Sequence, residues 1–164
     1  MEENKNSKEK LNHIAIAVSN IEEASKKWKD SLGCNVSEVH ELPDHGVKVI
    51  FVEFSNIKIE LLEPLDENSP ISNFLEKNPK GGIHHICCEV NDINKAKEKV
   101  IKNGIRVLGD GLTKIGAHGK PVIFLNPSDI SASLTTNGGM IRITSLLAGI
   151  VSTNSLRIKS ASFT

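Results

Sequence analysis

The strongest constraint on this chain is that it contains one short unit twice. The segment HIAIAVSNIEEASKK, beginning at His13, lies over HICCEVNDINKAKEK, beginning at His85, with identities at His13/His85, Ile14/Ile86, Val18/Val90, Ile21/Ile93, Ala24/Ala96 and Lys27/Lys99. A length of 164 residues could serve one domain with a substantial core or two small modules fused side by side. The repeat selects the second arrangement.

Each unit reads as a strand followed by a helix. Residues 13–18 are apolar with a β-branched bias, and Asn20 with Glu23 three positions on forms a capping box for a helix from Ile21 to Leu32. Ile21, Ala24, Trp28 and Leu32 share one face of it, and Gly33 stops it. Residues 35–42 and 47–54 read as strands around the Pro43-Asp44-His45-Gly46 turn, and 57–62 as another ahead of Pro64, giving the order βαβββ. In the second unit Asp92 caps a helix that runs to about Asn103 and stops at Gly104, and 105–108 and 121–125 are the next strands. The closing strand is expected after Asn126-Pro127, within SASLTTNGG, and the later apolar pieces 141–143 and 146–151 could form a replacement strand or lie loosely on the surface. Ile71, Phe74 and Leu75 suggest a linker helix with Pro70 at its first position, ending near Asn78-Pro79. The expected fold is α+β, two paired βαβββ modules: a frayed tail 1–10, a domain 11–137 (module one 11–65, linker 66–81, module two 82–137) and an atypical tail 138–164.

Paired modules change how the histidines are read. A lone histidine at the start of a buried strand is most often a satisfied core or edge residue. Two at equivalent repeat positions converge on one point if the modules pack with pseudo-twofold symmetry, and two imidazoles suit a divalent transition metal. His84 should point to the opposite face, because side chains alternate along a strand. The closing strand of each module should add an oxygen donor. In module one that is Glu60, which is either a donor or an edge-strand carboxylate facing water, although Ile59, Leu61 and Leu62 around it disfavour a free charge. In module two the corresponding stretch has no acid. The loop from Lys114 to Lys120 sets glycines around His118 between two lysines; it could hold a carboxylate or phosphate through His118 and Lys120, or be a solvated hairpin loop. His40 and His45 read as exposed turn or strand residues, and Cys34, Cys87 and Cys88 as core.

The bulk composition excludes other classes. Lys plus Arg equals Asp plus Glu, 20 of each, so no net field draws the chain to nucleic acid or to an anionic membrane. The opening MEENKNSKEK lacks a signal-peptide core and the acid-poor character of a presequence, and no apolar run reaches the roughly 18 residues needed to span a bilayer. A soluble, intracellular, cytoplasmic protein is expected, or a matrix one if the start is truncated.

The strings LNHIAIAV, HGVKVIFVEF, IKIELLEPL, SPISNFLEKNPKGGIHHICCEV and KIGAHGKPVIFLNP resemble the methylmalonyl-CoA epimerases, a family of the vicinal-oxygen-chelate (glyoxalase-like) superfamily, from about Leu11 to Pro127. The resemblance implies interconversion of the two configurations of methylmalonyl-CoA at its α-carbon, through an enolate stabilised by a divalent metal, with carboxylates as acid and base. It implies His13 and His85 as metal ligands, Glu60 beside the metal as donor or proton carrier, Co2+ as the ion with Mn2+, Ni2+ or Zn2+ as alternatives, an acyl-CoA as partner and a homodimer. The family's closing strand carries a further Glu, in a segment like GVLVELEQ after HPKD. Here the chain reads NPSDISASLTTN, and counting from Pro127 puts Thr136 at that place. A neutral hydroxyl is a weak ligand and no base near neutral pH. Two rival readings follow: a glyoxalase-type lyase or isomerase on another substrate, and a ligand-binding homologue without catalysis.

Overall fold

The computed structural model describes residues 10–131 and 147–152. Module one is β1 (Lys10–Ala17), α1 (Ile21–Leu32), β2 (Asn35–Val36), β3 (His40–Leu42), β4 (Val47–Glu53) and β5 (Lys58–Pro64). After α2 (Ser72–Lys77) come β6 (Gly82–Val90), α3 (Ile93–Lys102), β7 (Lys114–Ile115), β8 (Pro121–Leu125), α4 (Pro127–Ser131) and β9 (Leu147–Ser152). The strands form one sheet in the order β2-β4-β5-β1-β6-β9-β8-β7, with β3 also on β4. That order is a palindrome in structural terms. The repeat mates β1 and β6 pair antiparallel at the centre, each has a parallel partner outside it, β5 or β9, and then an antiparallel one, β4 or β8.

Local chemistry sets the helices as expected. The Asn20 side chain accepts from the Glu23 N–H at 2.8 Å, and Gly33 closes α1 at φ 65° with its N–H on the Lys29 carbonyl. Asp92 accepts from the N–H groups of Asn94 and Lys95. Both helices cover one face of the sheet. Ile21 packs there with Ile50, Val52 and Leu61, and Ile93 with Ile123 and Leu125; burial of each large aliphatic side chain stabilises by about 1.5–3 kcal/mol. The other face carries Ala15, Ala17, Val47, Val49, Phe51 and Leu62. Gly81, at φ 77°, lets the chain pass the end of β1, where a Cβ would lie 2.5 Å from the Ala17 carbonyl oxygen. It thereby delivers β6 to its place beside β1.

Several elements differ from expectation. The strand expected over 35–42 is interrupted because Ser37 Oγ takes the Phe51 N–H at 2.9 Å, a side chain replacing a ladder carbonyl. Residues 105–108 make only the Val107–Leu125 bridge, since the Arg106 N–H donates to Asp129 at 2.9 Å, and Lys114–Ile115 supplies the strand instead. Pro70 precedes α2 by two residues rather than opening it. The strand that closes module two is Leu147–Ser152, beyond SASLTTNGG and over the apolar piece 146–151 that offered a replacement strand, and Thr136 lies outside the described residues. Among the described residues no helix is long and apolar enough to cross a membrane.

Candidate metal centre

The central β1–β6 pair brings the repeat histidines together. His13 Nε2 lies 3.1 Å from His85 Nε2, and Glu60 Oε2 lies 3.2 Å from the first and 3.5 Å from the second. Glu60 is no edge carboxylate: β5 is enclosed by β4 and β1, and the residue is 5% exposed. Among the described residues these three form the one cluster of His, Cys, Asp or Glu side chains with donor atoms mutually within 4.8 Å.

Two bulges aim the imidazoles. Leu11 pairs with Cys88 and His13 with Cys87, so Asn12 is an extra residue on β1; Ala15 pairs with His85 and Ile16 with Ile83, so His84 is an extra residue on β6. Each bulged residue immediately precedes its histidine and bonds that ring's Nδ1. Asn12 Nδ2 donates to Glu89 at 2.6 Å, which leaves Asn12 Oδ1 to accept from His13 Nδ1–H at 2.7 Å. His13 Nε2 then presents its lone pair to the cluster. The Nδ1 atoms of His84 and His85 are 3.1 Å apart, a bond in which His85 donates when its own Nε2 lone pair faces the cluster. The expectation that His84 points to the opposite face is therefore overturned. The bulge breaks the alternation, and the His84 ring sits beside His85 and edge-on to Phe74.

Burial disfavours the charged forms of His84 and His85. It pushes His85 down to about 3, against the pull of the Glu60 charge, and it lowers His84 as well. For Glu60, burial raises the carboxyl, but the hydrogen bond and charge of His13, with the charges of His85 and His118, outweigh it and hold the group below its ordinary value. Two imidazoles beside a carboxylate held below its ordinary pKa form a donor set ready for a cation. Cys87, two residues along β6 from His85, is no competitor, since burial and then the Glu60 charge push its thiol up to about 12.

The cluster lies on the wall of a cavity of about 290 Å3 that also includes Asp44, His45, His84, His118 and Lys120. His118 stacks on Phe51 with centroids 4.3 Å apart, and burial followed by the charge of Lys58 lowers its pKa. His45, expected to be an exposed turn or strand residue, is half-buried, with Nε2 2.6 Å from the Ile115 carbonyl oxygen. Asp44, not singled out by the sequence, accounts with Glu60 for the carboxylates lining the cavity. The only available signal was the position of Asp44 in a turn between two strands that face the cavity. Of the cysteines counted as core, Cys87 is buried, Cys34 half-buried and Cys88 exposed.

The donor atoms fit a divalent ion. Atoms about 2.1 Å from a shared ion lie about 3.0 Å apart at right angles and about 3.4 Å apart at the tetrahedral angle. Separations of 3.1, 3.2 and 3.5 Å suit three corners of one coordination shell.

Comparison with known proteins agrees with this architecture. Residues 12–124 match the family described as the Glyoxalase/Bleomycin resistance protein/Dioxygenase superfamily. The ethylmalonyl-CoA/methylmalonyl-CoA epimerase of Cereibacter sphaeroides is 56% identical over 125 residues, which are 76% of this chain and 93% of that protein. The human mitochondrial methylmalonyl-CoA epimerase is 54% identical over 125 residues, 76% of this chain and 70% of its own length. The crystal structure of methylmalonyl-CoA epimerase from Mycobacterium tuberculosis superposes with a TM-score of 0.73 at 25% identity, covering 87% of each chain. The chain belongs to the methylmalonyl-CoA epimerase family within the glyoxalase/bleomycin-resistance/dioxygenase superfamily.

Proposed function

We propose that this chain interconverts the two configurations of methylmalonyl-CoA by removing and returning the proton on the α-carbon. The observation that carries this reading, beside the family, is the meeting of His13, His85 and Glu60 within 3.5 Å on the wall of a cavity. His13 and His85 through Nε2, and Glu60 through its carboxylate, would hold a divalent ion, and Co2+ is the one we assign. A bound ion supplies positive charge that stabilises negative charge developing on the substrate's carbonyl oxygen.

The remaining roles belong to the side chains around the cluster. Asp44 is the cavity carboxylate outside the donor cluster, and it takes the part of general base toward the α-proton. His118, kept neutral against Phe51, is the other group in the cavity suited to exchanging a proton. Lys120 supplies a cation for the substrate's carboxylate. Apolar walls from Leu42, Val47, Val49, Leu62 and Ile71 exclude water from the reacting carbon.

The direct test is exchange of the α-proton of methylmalonyl-CoA in deuterated water with Co2+-loaded protein. Enzyme-dependent exchange that falls sharply in Asp44→Asn and vanishes in His85→Ala is the expected result. Exchange no faster than with Co2+ alone overturns the proposal.

A further inference from the structure

Glu60 has a pseudosymmetry mate, and that mate is not an acid. In module one, Glu60 lies between Ala15 of β1 and Phe51 of β4. In module two, the residue placed the same way is Gly149 of β9, between Cys87 of β6 and Phe124 of β8. Ala15 and Cys87 stand two residues after His13 and His85 respectively. Phe51 and Phe124 lie edge-on to those histidines at 6.2 and 6.0 Å. The registers on both sides of β9 therefore equate Gly149 with Glu60. Because residues paired across a sheet share a face, position 149 is on the cavity face.

A twofold arrangement built on this repeat would offer two histidines and two carboxylates. Here it offers two imidazoles and one carboxylate, and a divalent ion bound through them keeps one net positive charge. From this we propose, resting on the reading of His13, His85 and Glu60 as the ion's holders, that the centre has three protein donors. The coordination position beside Gly149 is left to a carboxylate oxygen from solution. The registers assign the place of the missing donor to position 149 and not to the one counted from Pro127.

Co2+ serves as both ligand and reporter, because its visible absorption follows its coordination. The full chain is titrated with Co2+ against a chromogenic chelator, and the loaded protein is then titrated with formate. In the wild type, formate is expected to change the Co2+ spectrum saturably. Gly149→Glu should tighten Co2+ about tenfold or more and abolish the formate response, whereas Thr136→Glu should leave both unchanged. A wild-type spectrum indifferent to formate overturns the proposal, as does a Thr136→Glu variant that binds Co2+ more tightly and blocks formate. Should Gly149→Glu fail to fold, the formate titrations of the wild type and Thr136→Glu decide by themselves. Absence of Co2+ binding, or binding that survives His13→Ala and His85→Ala, overturns the site reading and the proposal with it. Co2+ held through the histidines with no formate response overturns the proposal alone.

Discussion

On the cavity face, module one contributes His13 and Glu60 from neighbouring strands, whereas module two contributes His85 and, in the place of Glu60, Gly149. Around that difference the modules correspond closely. Each has a bulged residue bonded to its histidine's Nδ1, a capped helix on the far face and a phenylalanine edge-on to the imidazole. They also reach their closing strands differently. Residues 54–57 suffice between β4 and β5, but 126–146 intervene between β8 and β9. The backbone pairing is the same in both modules where the donor side chain is not. A strand slot is satisfied by main-chain hydrogen bonds alone, but a metal donor must be one particular side chain at one particular place.

The sharpest way to break this comparison is to remove the shared donors. His13→Ala and His85→Ala should each abolish stoichiometric Co2+ binding measured by calorimetry. If one of them leaves affinity near that of the wild type, the two modules do not share a single ion. Core truncations come next. Leu61→Ala and Ile123→Ala remove fully buried side chains under the two helices, and each should cost about 2–5 kcal/mol in urea unfolding. Separate transitions for the two variants would show that the modules unfold independently, contrary to the shared sheet.

Acid should weaken the metal-free protein through module two. His85 is held down to about 3 in the folded state while an unfolded histidine titrates near 6.5, so the unfolded chain binds more protons in that window. Stability is then highest above about 6.5 and falls as pH drops toward about 3; Glu60, also depressed, adds loss in the same direction. Thermal melting of metal-free wild type and His85→Phe across that range is the check, with a flatter profile expected for the variant.

Smaller effects come from the bulged residues. Asn12→Ala and His84→Ala should each weaken Co2+ binding about 10–100-fold without removing it, because they orient ligands and do not replace them. An unchanged affinity in either would mean that its bulge is only a packing device. The caps should matter least: Asn20→Ala and Asp92→Ala, each losing the bonds that close a helix start, should cost about 1 kcal/mol apiece.

Much of the site was legible because the repeat marked it. His13 and His85 stood out by matching one another, and Glu60 by carrying a charge among Ile59, Leu61 and Leu62. His84 was misread because period-two alternation holds only in an unbroken strand, and its bulge comes from pairing with a strand far away in sequence. Asn12 carried no signal, since its importance lies in bonding Glu89 across the sheet. Asp44 and His45 become part of the cavity only when β4 is set against β5 and the Lys114–Lys120 loop closes over them.

What the sequence alone determined, then, is what short-range chemistry decides: the paired modules, the capped helices, the histidines at matched positions and the lone acid beside them. The tertiary structure decided which face each bulged residue takes and which segment fills the slot between β6 and β8. Strand pairing is made by main-chain groups that every residue other than proline carries in full, so the segment and its register are chosen by the open edges waiting on both sides. Those edges accepted Leu147–Ser152 in a register that puts a glycine opposite Cys87 and Phe124.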